Sequence, residues 1–447
     1  MTATAKRERF VSRAPKLGFV PAFDGTRGIG ICMVLYEHAL ADSVLGIYSF
    51  GPIVDLFFVL SGFLIVTLLL QEDRSNGAIA LRKFYYRRGL RLLPSVWLYL
   101  VVFIGLTALF AREYLGEVLK DAAAAFFYVY NLFYPPGTTI FRPDIVAQRS
   151  MSQLWTLSLE EQFYLVIGIV IVVCIARRWI RALVVVAVAL SLAAQWGRAT
   201  GHYGPFMIAM QRPDGLLLGA SLAIANAHWG ELSQRARRHV RWAGGIGLTV
   251  AVLTMLSSAH LFNRLGLPYF EGYPDRYEAF SADVVGPGGR TVERYVPNES
   301  HGGLFFIQFG HTLVIWASLP FVLAMARVKD WGVSRFLQWR PFMYVGRLSY
   351  SLYIWHGLAI MFAFALVPDS GSVVVDMARA VVVWVLSFAL AIPVYKYVEL
   401  RFQKIKLTFS AEKTAVDVST GKEIDVATGR VVGESAPQES ERNDRSS

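Results

Sequence analysis

Arg27 and His38 stand eleven positions apart in DGTRGIGICMVLYEH, within an apolar stretch. Eleven steps of about 100° put both side chains on one face of a helix, with about 16 Å between them along its axis. Asp24 sits one turn before the arginine, and Glu37 directly precedes the histidine. An imidazole with an unperturbed pKa near about 6.5 suits general-base work at neutral pH. The plainer alternative is a helix-end arginine reaching for lipid phosphates and a histidine satisfied by a neighbour. Further on, LRKFYYRRGLRLLP places Arg88 and Arg91 one turn apart on one face. Guanidinium forks grip phosphates bidentately, so this pair reads as an anion site as well as ordinary loop charge.

Four more apolar segments carry groups that lipid does not tolerate cheaply. Asp55 lies in GPIVDLFFVLSGFLI, where Ser61 and Gly62 form a small-residue patch suited to close helix packing. Glu160, Glu161 and Tyr164 lie in SQLWTLSLEEQFYLV, and Arg212 and Asp214 in QRPDGLLLGA. GRLSYSLYIWHGL puts Ser349, Tyr353 and His356 at steps of four and three, hence on one helix face. An intramembrane charge costs about 2.5 to 3.5 kcal/mol on insertion scales and is by default a functional-site hypothesis. One of the two glutamates also suits a helix N-terminus.

The elements that must position these groups are set by composition. Of 447 residues, 55% are apolar and 17% charged, against about 25% charged in soluble domains. The mean hydropathy is +0.43, so lipid and not water is the main solvent. Cys32 and Cys174 both lie in apolar runs, which excludes a disulfide framework and a thiolate metal site, and no metal is expected. The net charge of +11 comes from short basic runs between apolar stretches, the pattern of membrane topology and not of nucleic-acid binding.

Stretches able to cross about 30 Å of hydrocarbon occur near 27–47, 52–70, 90–111, 158–176, 205–227, 243–262, 305–326, 345–366 and 375–398, with a shorter tenth at 182–197. The run at 121–134 is ambiguous between a short span and an interfacial helix. If it does not cross, every short basic loop falls on the cytoplasmic side, including those around Arg82, Arg177, Arg235, Arg327 and Arg401. The expected fold is an all-α integral membrane protein of about ten transmembrane helices, with both termini cytoplasmic and long outward-facing loops at about 112–157 and 263–304. A basic arm (1–20) precedes a membrane domain (21–405), and a polar tail (406–447), hairpin-forming or disordered, follows. No cleavable signal peptide is expected.

Sorted by depth, Arg27, Arg88 and Arg91 lie at the cytoplasmic end, His38 and His356 near the midplane, and Asp55, Glu160, Arg212 and Asp214 toward the outside. A cationic mouth, a titratable middle and a polar outer rim make a route across the bilayer. Two classes fit: an enzyme taking an anionic donor from inside and an acceptor from outside, or a proton-coupled transporter using a His and carboxylate relay. A non-catalytic scaffold leaves the buried charges without a purpose.

Six ordered motifs, DGTRGIGICMVLYEH, DLFFVLSGFLI, RRGLRLLP, LWTLSLEEQFYLV, RPDGLLLGA and GRLSYSLYIWH, resemble the membrane acyltransferase type 3 family over roughly residues 20–400. The resemblance implies transfer of an acyl group, acetyl or succinyl, from cytoplasmic acyl-CoA to a hydroxyl of a glycan or glycolipid in the cell envelope, at the plasma (inner) membrane. It places the family's Arg and His motif on Arg27 and His38, its arginine motif on Arg88 and Arg91, and its acidic motif on Glu160 or Glu161. His38, Arg27 and Glu160 are then the expected catalytic residues, and Arg88, Arg91 and Arg27 the donor-binding ones. Asp55, Arg212, Asp214, Glu161, Tyr164, His356, Tyr353, Glu37 and Asp24 are expected around the acceptor. Two departures stand out. Glu37 occupies a position more often uncharged, and no soluble hydrolase-like domain is expected after the tenth span.

Overall fold

The structure, a computed structural model, describes residues 9–40, 51–133, 151, 153–199, 212–257, 283–285, 291–293, 309–368, 372–407, 414–416 and 423–425. Its long helices are α1 (Pro21–Ala39), α2 (Ile53–Asn76) and α3 (Leu81–Phe110), followed by the short α4 (Leu115–Phe126) and α5 (Tyr130–Phe133). Then come α6 (Leu154–Arg177), α7 (Ile180–Ala199), α8 (Pro213–Ala227), α9 (Gln234–Ser257) and α10 (His311–Arg327). The short α11 (Gly332–Leu337) leads into α12 (Arg340–Leu366) and α13 (Val373–Val394). A π-helical turn (Tyr395–Glu399) runs on into α14 (Leu400–Leu407). The fold is helical and of the integral membrane class: among the described residues, seven helices are long and apolar enough to cross a membrane, and α10 is a shorter apolar one. Each of the ten expected stretches overlaps a helix; seven of these are the candidate spans, and the other three are the shorter α1, α8 and α10, of 19, 15 and 17 residues.

The boundaries move where local chemistry moves them. Pro21, at the first turn of α1, starts that helix six residues before the expected stretch, because a proline there has no amide to satisfy. The basic run 82–91 is helical, so α3 begins at Leu81 and carries Arg88 and Arg91 inside a 30-residue rod. Gly77, in the left-handed region at φ 73°, closes α2.

The ambiguous run at 121–134 is neither one helix nor wholly an outward loop. It breaks after Phe126, turns through Tyr128 at φ 54° and resumes as α5. Gln162 holds this turn, donating to the Tyr128 carbonyl at 2.6 Å and pairing with Asn131 at 2.9 and 3.2 Å. Gln162 lies eight residues into α6, about 12 Å along that helix. The segment therefore dips into the bundle, where irregular backbone survives because protein groups satisfy it.

Two short antiparallel hairpins complete the described residues. One, β1 (Asp283–Val285) with β2 (Thr291–Glu293), lies in the long polar segment 263–304. The other, β3 (Thr414–Val416) with β4 (Glu423–Asp425), forms in the tail around STGK.

Candidate active site

Glycines decide which helices touch. A Cβ on Gly346 of α12 would collide with the Asp24 carbonyl of α1, and one on Gly28 would collide with the Phe342 carbonyl. Only bare backbone at these positions lets α1 and α12 lie in contact, and α1 then faces Arg347, Tyr353 and His356. Gly62, Gly215 and Gly219 do the same for α2 and α8. Gly62 thus packs as expected from its size. Ser61 does not pack in the same way: it donates to Glu160 Oε1 at 2.8 Å.

Between α1, α2, α3, α6, α12 and the π-helical turn lies a cavity of about 330 Å³. Four arginines reach it, Arg27 from α1, Arg88 and Arg91 from α3, and Arg347 from α12. Three carboxylates share it: Asp24, Glu160 and Glu399. Asp24 pairs with Arg27 at 3.5 Å, one turn apart, and lies within electrostatic reach of Arg347 and Arg91. The Arg88 guanidinium lies 5.5 Å from the Tyr164 ring and 5.9 Å from Phe84, aromatic faces that hold a cation without cancelling its charge. Ser351 donates to Glu399, which the π turn presents to the cavity. The neighbouring Arg87 is structural: it pairs with Glu72 at 2.8 Å, and Glu72 also accepts the Ala80 amide.

Beyond the cavity stands a histidine pair. The His38 and His356 rings stack with centroids 5.3 Å apart and 19° between planes. His356 Nδ1 lies 2.7 Å from the Tyr353 carbonyl. A carbonyl only accepts, so Nδ1 carries a proton, and in the neutral ring Nε2 is the basic nitrogen. Tyr353 also lines the cavity; its hydroxyl donates to the Gln153 carbonyl at 2.8 Å and lies 2.7 Å from Thr156 Oγ1. One residue therefore separates the arginine cavity from the histidines. α1 is a single uninterrupted helix, so Arg27 and His38 stay about three turns apart and form no direct dyad.

The opposite end of the bundle holds two buried ion clusters. Asp55 accepts from Arg212 at 3.3 Å and lies 2.6 Å from His311 Nδ1, while Arg212 lies 2.9 Å from the same nitrogen and 5.0 Å from the Trp155 ring. Arg212 adopts φ 55°, a left-handed conformation that a non-glycine residue keeps only when its surroundings hold it. Asp214 takes both Arg198 nitrogens, at 2.5 and 3.1 Å, and Gln195 at 3.2 Å. Glu37 contacts the Gly51 backbone and lies within reach of Arg212.

The expected outer rim is thus redistributed. Asp55 and Arg212 do meet, but Asp214 turns to Arg198, and Glu160 joins Arg27, Arg88 and Arg91 in the cavity. Glu160 changes place because Ser61 on α2 and the arginine wall draw one face of α6 inward. Tyr164, one turn on, lines the same cavity, whereas Glu161 lies beside Arg88 without lining it. Sequence reasoning missed Arg198, His311, Arg347 and Glu399. The first two stand at the ends of apolar runs and met the same criterion that singled out Arg212; the others pass for ordinary span-flanking charge.

The acyltransferase domain family model matches residues 20–396. Among curated proteins, the chain is similar to the O-acetyltransferase OatA of Staphylococcus aureus (strain NCTC 8325 / PS 47), 29% identical over 77% of this chain and 51% of that protein. It is also similar to the peptidoglycan O-acetyltransferase OatA of Listeria monocytogenes, 27% identical over 76% of this chain and 49% of that protein. The chain spans about half the length of these curated relatives. No solved structure matches it. The matched region holds the arginine wall, both histidines and the Ser61–Glu160 contact, and the chain belongs to the acyltransferase domain family.

Proposed function

We propose that this protein is a multi-pass plasma-membrane O-acetyltransferase that moves acetyl from cytoplasmic acetyl-CoA to a hydroxyl of a cell-envelope glycan or glycolipid. The observation that carries the reading is the junction at Tyr353, where a four-arginine cavity ends one residue from a stacked histidine pair. Arginines suit the donor's phosphates. The thin pantetheine arm then runs along the cavity and brings the thioester toward the histidines. His38 takes the proton of the acceptor hydroxyl as its oxygen attacks the thioester carbonyl. The C–S bond breaks, and the proton passes to the departing thiolate. His356, fixed by the Tyr353 carbonyl, holds the His38 ring in place through the stack.

Acetyl is favoured over succinyl on two grounds. Arg212 and Arg198 already face Asp55 and Asp214, so neither cation offers uncompensated charge to a dicarboxylic acyl group. The curated relatives are named O-acetyltransferases. The Listeria relative acts, by its name, on peptidoglycan, which makes an envelope glycan the first acceptor to try.

The test is transfer of label from radioactive acetyl-CoA to envelope glycan by the protein in vesicles. His38→Ala should lower transfer by roughly 10² to 10⁴ while donor binding persists. Turnover by that variant at the unsubstituted rate removes His38 from the chemistry. Label carried into the vesicles without bonding to glycan would instead establish a transporter.

A further inference from the structure

The cavity holds more cationic surface than one phosphate cluster needs, and it is laid out on two walls. Arg88, Arg91 and Arg27 form a continuous run: Arg91 is within electrostatic reach of both Arg27 and Arg88. Arg347 reaches the cavity from a third helix. It comes from α12, shares Asp24 with Arg27, and lines the same cavity. Along its helix Arg347 is six residues, about 9 Å, before Tyr353, so it lies toward the helix start and away from the histidines.

We propose that Arg347, steadied by Asp24, is a second phosphate subsite that reads the ribose phosphate monoester of the nucleotide donor, while the Arg27, Arg91 and Arg88 run takes the diphosphate. The inference rests on the reading of the cavity as a nucleotide–thioester site. A diphosphate is one compact unit next to the flexible arm and suits the contiguous run. The monoester hangs from the ribose, off the line of that arm, and carries about −1.5 to −2 charge at neutral pH. It therefore calls for a cation from another helix than the α3 pair, which Arg347 on α12 supplies. Asp24 keeps the guanidinium at the wall between binding events, and across the cavity four arginines against three carboxylates leave net positive charge for the ligand.

The discriminating probe pair is acetyl-CoA and its 3′-dephospho analogue, each titrated against the full chain in nanodiscs. The unsubstituted protein should bind acetyl-CoA at least tenfold more tightly than the analogue. Arg347→Gln should erase that preference by weakening acetyl-CoA alone, and Arg347→Lys should keep part of it. Arg88→Ala should weaken both ligands by the same factor. If Arg347→Gln retains the preference, or weakens both ligands equally, the subsite assignment is overturned while the cavity reading stands. If the unsubstituted protein binds neither thioester, the cavity reading falls and the subsite with it. A monodisperse size-exclusion profile for Arg347→Gln and Arg347→Lys ties the result to recognition and not to folding.

Discussion

At the residue scale, several buried charges of the described residues are shared between helices. Asp214 and Arg198 are 0% and 7% exposed at their side chains and meet at 2.5 Å; Gln195, Thr312 and Trp316 extend the cluster. Removing one partner of such a pair leaves a buried charge behind, at a cost of about 3 to 5 kcal/mol. Asp214→Ala should therefore lower the melting temperature in detergent far more than the double change Asp214→Ala with Arg198→Leu, which strands no ion. Equal melting of the two variants would show that the pair contributes little to stability. The arginine cavity obeys a different rule, because there four arginines line one space with three carboxylates, one cation more than anions. The motif residues of this site were legible in the sequence by type. Their partners were not: nothing in LWTLSLEEQFYLV says that Glu160 meets Ser61 while Glu161 lies beside Arg88 outside the cavity.

At the scale of elements, the decisive contacts are bare backbone against bare backbone. α1 and α12 approach so closely at Gly28 and Gly346 that a methyl group at either would overlap a carbonyl oxygen of the partner. Overpacking a tight contact costs typically about 1 to 3 kcal/mol. Here the obstacle is main chain and not a flexible side chain, so relief requires α12 to move as a unit. Gly346→Val should push α12 away from α1, separate His38 from His356, and reduce transfer sharply even where the protein still inserts. Full activity in that variant would mean that the histidine stack is dispensable. The break at Tyr128 is the second element-scale device. Sequence flagged residues 121–134 only as too short and too proline-bounded to decide, since the hydrogen bonds from Gln162 that stabilise the turn come from a helix more than twenty residues later.

At the scale of the whole molecule, the alternation of the helices puts the ends of α8 and α10 and the starts of α3, α9 and α12 at one pole, and Arg88, Arg91 and Arg347 lie in the halves of α3 and α12 nearer to it. On the positive-inside rule that pole is expected to face the cytoplasm. Single cysteines in a background lacking Cys32 and Cys174 check this with a membrane-impermeant maleimide on intact cells. Exposed positions Ser233 and Lys329 should react only after permeabilisation, and exposed Glu113 should react at once. The reverse pattern would invert the donor and acceptor sides of the proposed reaction.

Sequence alone determined that lipid is the solvent, where the long helices lie and which residues are too costly to be there by accident. Hydropathy and charge are local quantities, and each span announces itself without reference to the others. The tertiary structure alone decided which of those costly residues meet. α2, α3, α6 and α12 are apolar around most of their circumference, so their sequences do not record how each is rotated about its axis or which neighbour it faces. For α2 and α12 the glycine contacts fix both. Through them His38 finds His356 and Arg347 comes beside Asp24, while the Ser61 hydrogen bond turns Glu160 toward the arginines.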